Sequence, residues 1–236
     1  MTKKNIGILF GGCSSEYEVS LQSAAAVIRA ADPARFTLIP VGITRQGQWY
    51  RFYGTPEEME QDRWVTEEAV PAIVSPDRSC GGLLEFTKEG VRKVTLDAVL
   101  PMLHGKNGED GTVQGLLALA GIPCIGCGLL SSALCMDKST AHLLASQAGV
   151  KVPRSVLLDQ MGSASDLKKH TEALAYPLFV KPVNAGSSFG ITKITGPGQL
   201  ADAVSLAFRY DSQVIVEEAV EGFEVGCAVM GTSRLF

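Results

Sequence analysis

An α/β fold follows from three observations: a doubly wound N-terminal domain on a mainly parallel sheet, then a smaller α+β unit. In the first half, buried strand-length runs alternate with helix-period segments. The first of these strands ends at a glycine pair, Gly11-Gly12, which suits the mouth of a doubly wound sheet. Past residue 150 the order changes to strand, helix, two strands around a Gly/Ser loop, helix and strand. The division falls near residue 130, giving domains at 1–130 and 131–236.

Residues 5–10 form the first strand, and Ser15-Glu16-Tyr17-Glu18 reads as a capping box opening a helix over 16–30. A second strand spans 36–44. Residues 45–95 give a hairpin around Gly47, a short polar helix over 57–63 and short strands near Ile73 and Leu83. A buried strand at 97–103 leads into the loop His104-Gly-Lys-Asn-Gly-Glu-Asp-Gly111. A helix over 112–120 and a strand over 122–125 follow. Residues 131–148 carry one long helical pattern, stopped at Gly149 as a C-cap. The second unit reads as strands at 152–158, 177–181, 191–194, 213–218 and 224–230, with helices over 163–174 and 198–210.

With 236 residues, 46% of them hydrophobic, the chain can bury a large core. Its net charge of −4 argues against a nucleic-acid backbone as partner. No window is apolar enough for a membrane span, and the apolar run at the N-terminus is too short for a signal peptide. These features point to a soluble cytoplasmic protein. The six cysteines have no disulfide-framework spacing. Cys124 and Cys127 form a C-x-x-C, but in a strand closing at glycine rather than at a helix start, and no second pair completes a zinc site.

The segment Tyr176-Pro-Leu-Phe-Val-Lys-Pro-Val-Asn-Ala-Gly-Ser-Ser-Phe-Gly190 has the composition of a phosphate site. Its glycines let backbone N–H groups approach oxygens, Ser187 and Ser188 add donors, and Lys181 adds charge. A hairpin turn with a solvated lysine is the plain alternative. Glu16, in the first turn of a helix at the mouth of the sheet, serves either the helix dipole or a bound ammonium, and Glu18 is the capping-box partner. Three glycines in the loop 104–111 favour a ligand-facing role. His104 is its candidate side chain, Glu109 orients the loop, and Lys106 and Asp110 are solvated. Lys138 lies mid-helix and matters only if it points at the phosphates held by the Lys181 loop. His142 and His170 read as surface residues on helices. Glu217 and Glu218 end a strand and could bind the polar edge of a base and the hydroxyls of a sugar. Solvated acids on an edge strand are the alternative.

Five stretches, in order, resemble the D-alanine–D-alanine ligase family of ATP-grasp enzymes: GGCSSEYEVS, LHGKNGEDGTVQG, SSALCMDK, VKPVNAGSSFG and VEEAVEGFEV. EYEVS, ITR and EVGCAVMG look most like its vancomycin-resistance branch, particularly the D-alanine–D-serine ligases. The resemblance implies ATP-dependent ligation of D-alanine to a second D-amino acid through a D-alanyl phosphate, with Mg²⁺, for peptidoglycan precursors, by a homodimer. It implies a substrate domain over 1–130 and a central ATP-grasp subdomain over 131–236. In it Glu16 binds the first D-alanine's ammonium, with His104 beside it. Lys138 and Lys181 contact the ATP phosphates. Ser187 links Glu16 to a closing loop, and Ser188 and Gly190 shape the phosphate loop. Glu217 accepts from the adenine amino group, Glu218 and Val220 offer backbone contacts to the base, and Glu224 binds the ribose. Members of the family continue past the position of Phe236 into a segment with the metal ligands and the second-substrate pocket, so no metal ligand is expected within these residues. The alternative is a non-catalytic nucleotide-binding or dimerising truncated relative.

Overall fold

A computed structural model describes residues 2–66, 69–186 and 189–231. The first sheet has seven strands: β1 (Lys4–Gly11), β2 (Phe36–Ile43), β3 (Trp49–Arg51), β4 (Val70–Val74), β5 (Gly82–Thr87), β6 (Gly90–Thr95) and β7 (Ala98–Pro101). Their spatial order is β6-β5-β4-β3-β2-β1-β7. The parallel part is β2-β1-β7, with a further parallel bridge from Val99 to Cys124. From β2 outward the sheet continues as an antiparallel meander. The strand read at 122–125 contributes that single bridge and no ladder.

Alternation along β1 explains the double winding. Ile6, Ile8 and Phe10 face α1 (Tyr17–Ala30) in one core with Tyr17, Leu21 and Trp64. Leu9, between them, faces the other side with Val41, Val99, Val113 and Leu117, the last two on α3 (Thr112–Ala120). The ends of β1 and β7 are tied together by Ser20 of α1. Its hydroxyl accepts from the Gly11 amide at 2.8 Å and donates to the Met102 carbonyl at 2.5 Å, with no exposed surface. Helix α1 starts at Tyr17, and Glu16 occupies its N-cap without a side-chain cap bond. The capping box is therefore absent. Glu18 instead accepts from Arg45 at 2.6 Å, because the hairpin after β2 brings a guanidinium within reach. A capping box does form at α2 (Pro56–Glu60), between Thr55 and Glu58.

The long helix expected over 131–148 is two helices, α4 (Leu129–Met136) and α5 (Lys138–Gln147). Asp137 between them is extended, and its carboxylate caps α5 by accepting from the Thr140 amide at 2.7 Å. The amide of Lys138 bonds the Val183 carbonyl at 3.3 Å rather than the preceding helical turn. The break thus ties α5 to the second sheet, and Lys138 becomes the first residue of a helix, not a mid-helix residue.

The second sheet comprises β8 (Ser155–Leu158), β9 (Leu178–Pro182), β10 (Thr192–Ile194) and β11 (Val214–Glu218), antiparallel in the order β10-β9-β11-β8. Leu178 and Val180 of β9 and Val214 and Val216 of β11 face α6 (Ala164–Thr171) and α7 (Leu200–Ala207) in one core. The intervening residues Phe179, Lys181, Ile215 and Glu217 face the other way. The strand expected at 224–230 is not formed. Residues 219–231 have no ladder partner, and Val225, Val229 and Met230 are exposed, so apolar alternation there is not matched by a neighbouring strand to pair with. Among the described residues, no helix is long and apolar enough to cross a membrane.

Candidate functional site

The β7–α3 loop folds through its own side chains. Glu109 accepts from the Gly105 amide at 2.8 Å, as its orienting role requires. Asp110 is not simply solvated: it accepts from the amides of Asn107 and Thr112, at 2.8 and 3.0 Å, and closes the loop onto the start of α3. Burial would raise its carboxyl, but these hydrogen bonds outweigh it and hold the group below the usual range. Lys106 is exposed. Ser14 Oγ donates to the His104 carbonyl at 2.7 Å, and His104 Nε2 meets Ser23 Oγ at 3.1 Å. Two cavities flank His104. One of about 290 Å³ lies at the carboxyl ends of β1 and β2 against Gly12, Trp49 and Val113. The other, of about 420 Å³, lies against Gln114, Cys124, Cys127 and Cys135. All six cysteines are free, and burial raises the Cys124 thiol.

Glu16 lines neither cavity. It is 5% exposed, and its carboxylate is bracketed by two glycines, one in the β7–α3 loop and one after β9. A Cβ at Gly105 would collide with Glu16 Oε2. A Cβ at Gly186 would lie 3.1 Å from Glu16 Cδ and closer still to Oε2. Gly105 also has φ +67, which disfavours any other residue, whereas a side chain at Gly186 would have to push the Glu16 carboxylate aside. The structure thus brings Glu16, His104 and the β9–β10 loop together.

Beneath that loop sits Lys138. Its Nζ donates to the carbonyls of Val183 at 3.1 Å and Ala185 at 2.6 Å. Burial first, then the nearby Lys181 charge, pulls its ammonium below the usual lysine range. Asn184 is anchored on the far side by Asp211, which accepts from its amide at 2.6 Å and its side chain at 3.0 Å. Gly190 has φ +70, and a Cβ there would press on Tyr210, so the loop's exit also needs glycine. Ser187 and Ser188 lie outside the described residues.

On the free face of the second sheet, Lys181 Nζ is ion-paired with Glu217 Oε1. The register sets Lys181 opposite Ile215 and Glu217 opposite Phe179, so the pair is a diagonal neighbour on one face. Glu217 is 5% exposed and its second oxygen has no hydrogen-bond partner among the described residues. Helix α5 places His142 Nε2 3.7 Å from that oxygen. His142 is therefore half-buried against the acid, not a surface residue. The signal was available, since His142 is four residues from Lys138 and so shares its helix face. His170 is exposed on α6, with its Nδ1 2.7 Å from the Asp166 carbonyl. Phe179 lies between two lysines, with Lys181 Nζ at 5.2 Å and Lys193 Nζ at 5.6 Å from its ring centre. Glu218 points away from this face, accepting from the Ala175 amide at 2.9 Å and lying 3.4 Å from Arg154. Val220 and Glu224 are exposed beyond β11, and the structure does not bring them to the cluster.

An acid beside Gly105 and Gly186, with two lysines and a second carboxylate behind it, has the charges to hold an ammonium and a polyanion side by side. The model of the D-ala D-ala ligase N-terminus matches residues 5–127, and that of the D-ala D-ala ligase C-terminus matches residues 144–235. The chain belongs to the D-alanine–D-alanine ligase family. It is 40% identical to a D-alanine–D-alanine ligase of Caldicellulosiruptor bescii over 100% of this chain and 65% of that protein. It is 42% identical to the vancomycin B-type resistance protein VanB of Enterococcus faecalis over 98% of this chain and 64% of that protein. The crystal structure of the VanG D-Ala:D-Ser ligase from Enterococcus faecalis superposes with a TM-score of 0.89 at 50% identity, over 100% of this chain and 68% of that one. The chain thus spans about two thirds of the length of these relatives.

Proposed function

We propose that this chain supplies the D-alanine and nucleotide portions of an ATP-dependent ligase that joins D-alanine to a second D-amino acid, D-alanine or D-serine, through a D-alanyl phosphate in peptidoglycan precursor synthesis. The observation that carries this reading is the contact of Glu16 with Gly186. It supports the reading because a buried acid and the loop after β9 stand side by side, so that an amino acid held by the acid would turn its carboxylate toward a nucleotide's terminal phosphate on the loop. In this reading Glu16 neutralises the D-alanine ammonium and His104 lines its subsite. Lys138 holds the loop from below and adds charge under the phosphates. Lys181 leaves Glu217 to meet the phosphates, while Glu217 accepts from the adenine amino group. Ser187, Ser188 and Gly190 complete the loop, and Glu218, Val220 and Glu224 contact the base and ribose.

The family resemblance supports Mg²⁺ as cofactor and a homodimer working in the cytoplasm. Among the described residues no group of three or more His, Cys, Asp or Glu side chains could hold a metal ion. The residues described do not form a Mg²⁺ site, and no step is assigned to one here. Calorimetry tests the reading on the 236-residue chain. Both D-alanine and ADP bind, and Glu16→Gln loses D-alanine while keeping ADP. Equal D-alanine affinity in the two proteins would overturn the assignment.

A further inference from the structure

We infer that His142 is a positioning residue that takes up a proton when nucleotide binds and replaces Lys181 as the counter-charge of Glu217. The inference rests on the reading that Lys181 and Glu217 contact the nucleotide.

It starts from a conflict between those two roles. Glu217 is buried, and among the described residues its only cation in hydrogen-bonding contact is Lys181, held on Oε1. A lysine that turns to phosphate oxygens leaves that acid without a counter-charge in a site where an unpaired charge is costly. The charged side chains of the cluster come from three elements. Lys181 stands on β9, Glu217 on β11, and Lys138 and His142 one turn apart on α5. Lys138 cannot replace Lys181, because its ammonium is already committed to the carbonyls of Val183 and Ala185.

His142 can. Its Nε2 is 3.7 Å from Glu217 Oε2, the oxygen that Lys181 does not hold. That oxygen and His142 Nδ1 are both buried and both lack a hydrogen-bond partner among the described residues. The half-buried imidazole turns Nε2 toward that unpartnered oxygen, and a protonated ring, carrying a proton on both nitrogens, donates to it whichever tautomer it starts from. The proton comes from solvent and adds to whichever ring nitrogen carries the lone pair. The imidazolium then donates Nε2–H to Oε2 in a charge-assisted bond, about 1 Å shorter than the present separation. The carboxylate is held in place while its Oε1 is released to the ligand.

The sign follows from linkage. Loss of the competing Lys181 charge favours the imidazolium in the complex, so binding takes up protons, and nucleotide affinity falls as pH rises, at most about tenfold per pH unit.

The test is calorimetry of ADP binding to the 236-residue chain in buffers of different ionisation enthalpy, at several pH values from 6 to 9, beside His142→Gln. Glutamine keeps an N–H donor but cannot titrate, and the comparison removes the titration of ADP's own phosphate. The expected result is an uptake of up to about one proton per ADP that the variant lacks. The variant should show a flatter pH dependence of affinity. Equal proton uptake in both proteins overturns the switch while leaving the nucleotide site standing. Absence of ADP binding in the parent chain overturns the nucleotide reading and the switch with it. If His142→Gln does not fold, the ring-proton NMR titration of His142 in the parent chain decides, assigned against His104→Gln and His170→Gln. An upward move of its midpoint on adding ADP supports the switch, and an unmoved midpoint overturns it.

Discussion

The carboxylate of Glu16, at the N-cap of α1, lies against Gly186 in the loop that follows β9, so segments leaving the two sheets meet at one acid and one missing side chain. A methyl group at Gly186 has no space unless the carboxylate or the loop moves. Gly186→Ala should weaken D-alanine binding by about tenfold or more and destabilise the chain by about 1–3 kcal/mol, as overpacking does. Gly186 does not adopt a positive φ, so backbone strain is not the cause. Calorimetry with D-alanine and urea unfolding measure the two effects. An alanine variant that binds D-alanine normally would show that the contact is incidental.

Lys181 and Glu217 are to be separated by nucleotide. Lys181→Met should lower ADP affinity by about 10- to 100-fold, the worth of a charged hydrogen bond of about 1.5–3 kcal/mol. Glu217→Gln should act differently. It frees Lys181 for phosphate but removes the acceptor for the amino group, so the preference for ADP over GDP should shrink. Titration of both nucleotides against both variants measures this. Parallel losses for ADP and GDP in Glu217→Gln would remove the acid from base recognition.

Glu85 carries structure rather than chemistry. It has no exposed surface, its Oε2 accepts from Arg92 Nε at 2.7 Å, Arg51 Nε lies 3.4 Å from its Oε1, and Tyr53 donates to it. Burial, then the Glu85 charge, raises the Tyr53 phenol, and burial lowers the Arg51 guanidinium. Glu85→Ala should cost about 3–5 kcal/mol, because it strands the half-buried Arg51 beside a cavity. Both tryptophans, Trp49 and Trp64, lie in this domain, so their fluorescence in urea reads the change directly.

Asp110 gives an acid-range prediction. Its folded pKa is depressed by the hydrogen bonds from Asn107 and Thr112, so its contribution is present above the unfolded value and lost as pH falls through the folded one. Asp110→Asn should therefore be less stable than the parent at neutral pH, with a gap that narrows below about pH 4. Urea midpoints followed between pH 7 and pH 3 check it. A gap that does not change with pH would mean that the charge contributes nothing.

Much of this was legible before any coordinates. The glycines at 11, 12, 105 and 190 adopt positive φ, and the chain leaving β9 passes over Lys138, which bonds the Val183 and Ala185 carbonyls. Helix α3 has the expected limits because its period and its terminal glycines agree. The reading failed where a local signal had a distant competitor. Glu18 had the spacing of a capping-box partner, but Arg45 offers a full charge. The helical period across 131–148 was real, yet the amide of Lys138 bonds Val183, far along the chain, and Asp137 caps the new start.

By itself the sequence determined the layers and the inventory: which residues are apolar at strand or helix spacing, where glycine is required, and which acids and bases are present. Those properties depend on a few neighbours along the chain, so a linear reading recovers them. Only the tertiary structure decided the pairings that make a site: Glu16 with Gly186, Lys138 with the loop carbonyls, and Lys181 and His142 on opposite oxygens of Glu217. Each joins segments separated by at least one folded element. The contact exists because two sheets, a broken helix and a diagonal register close around it, and none of these is encoded by spacing along the chain.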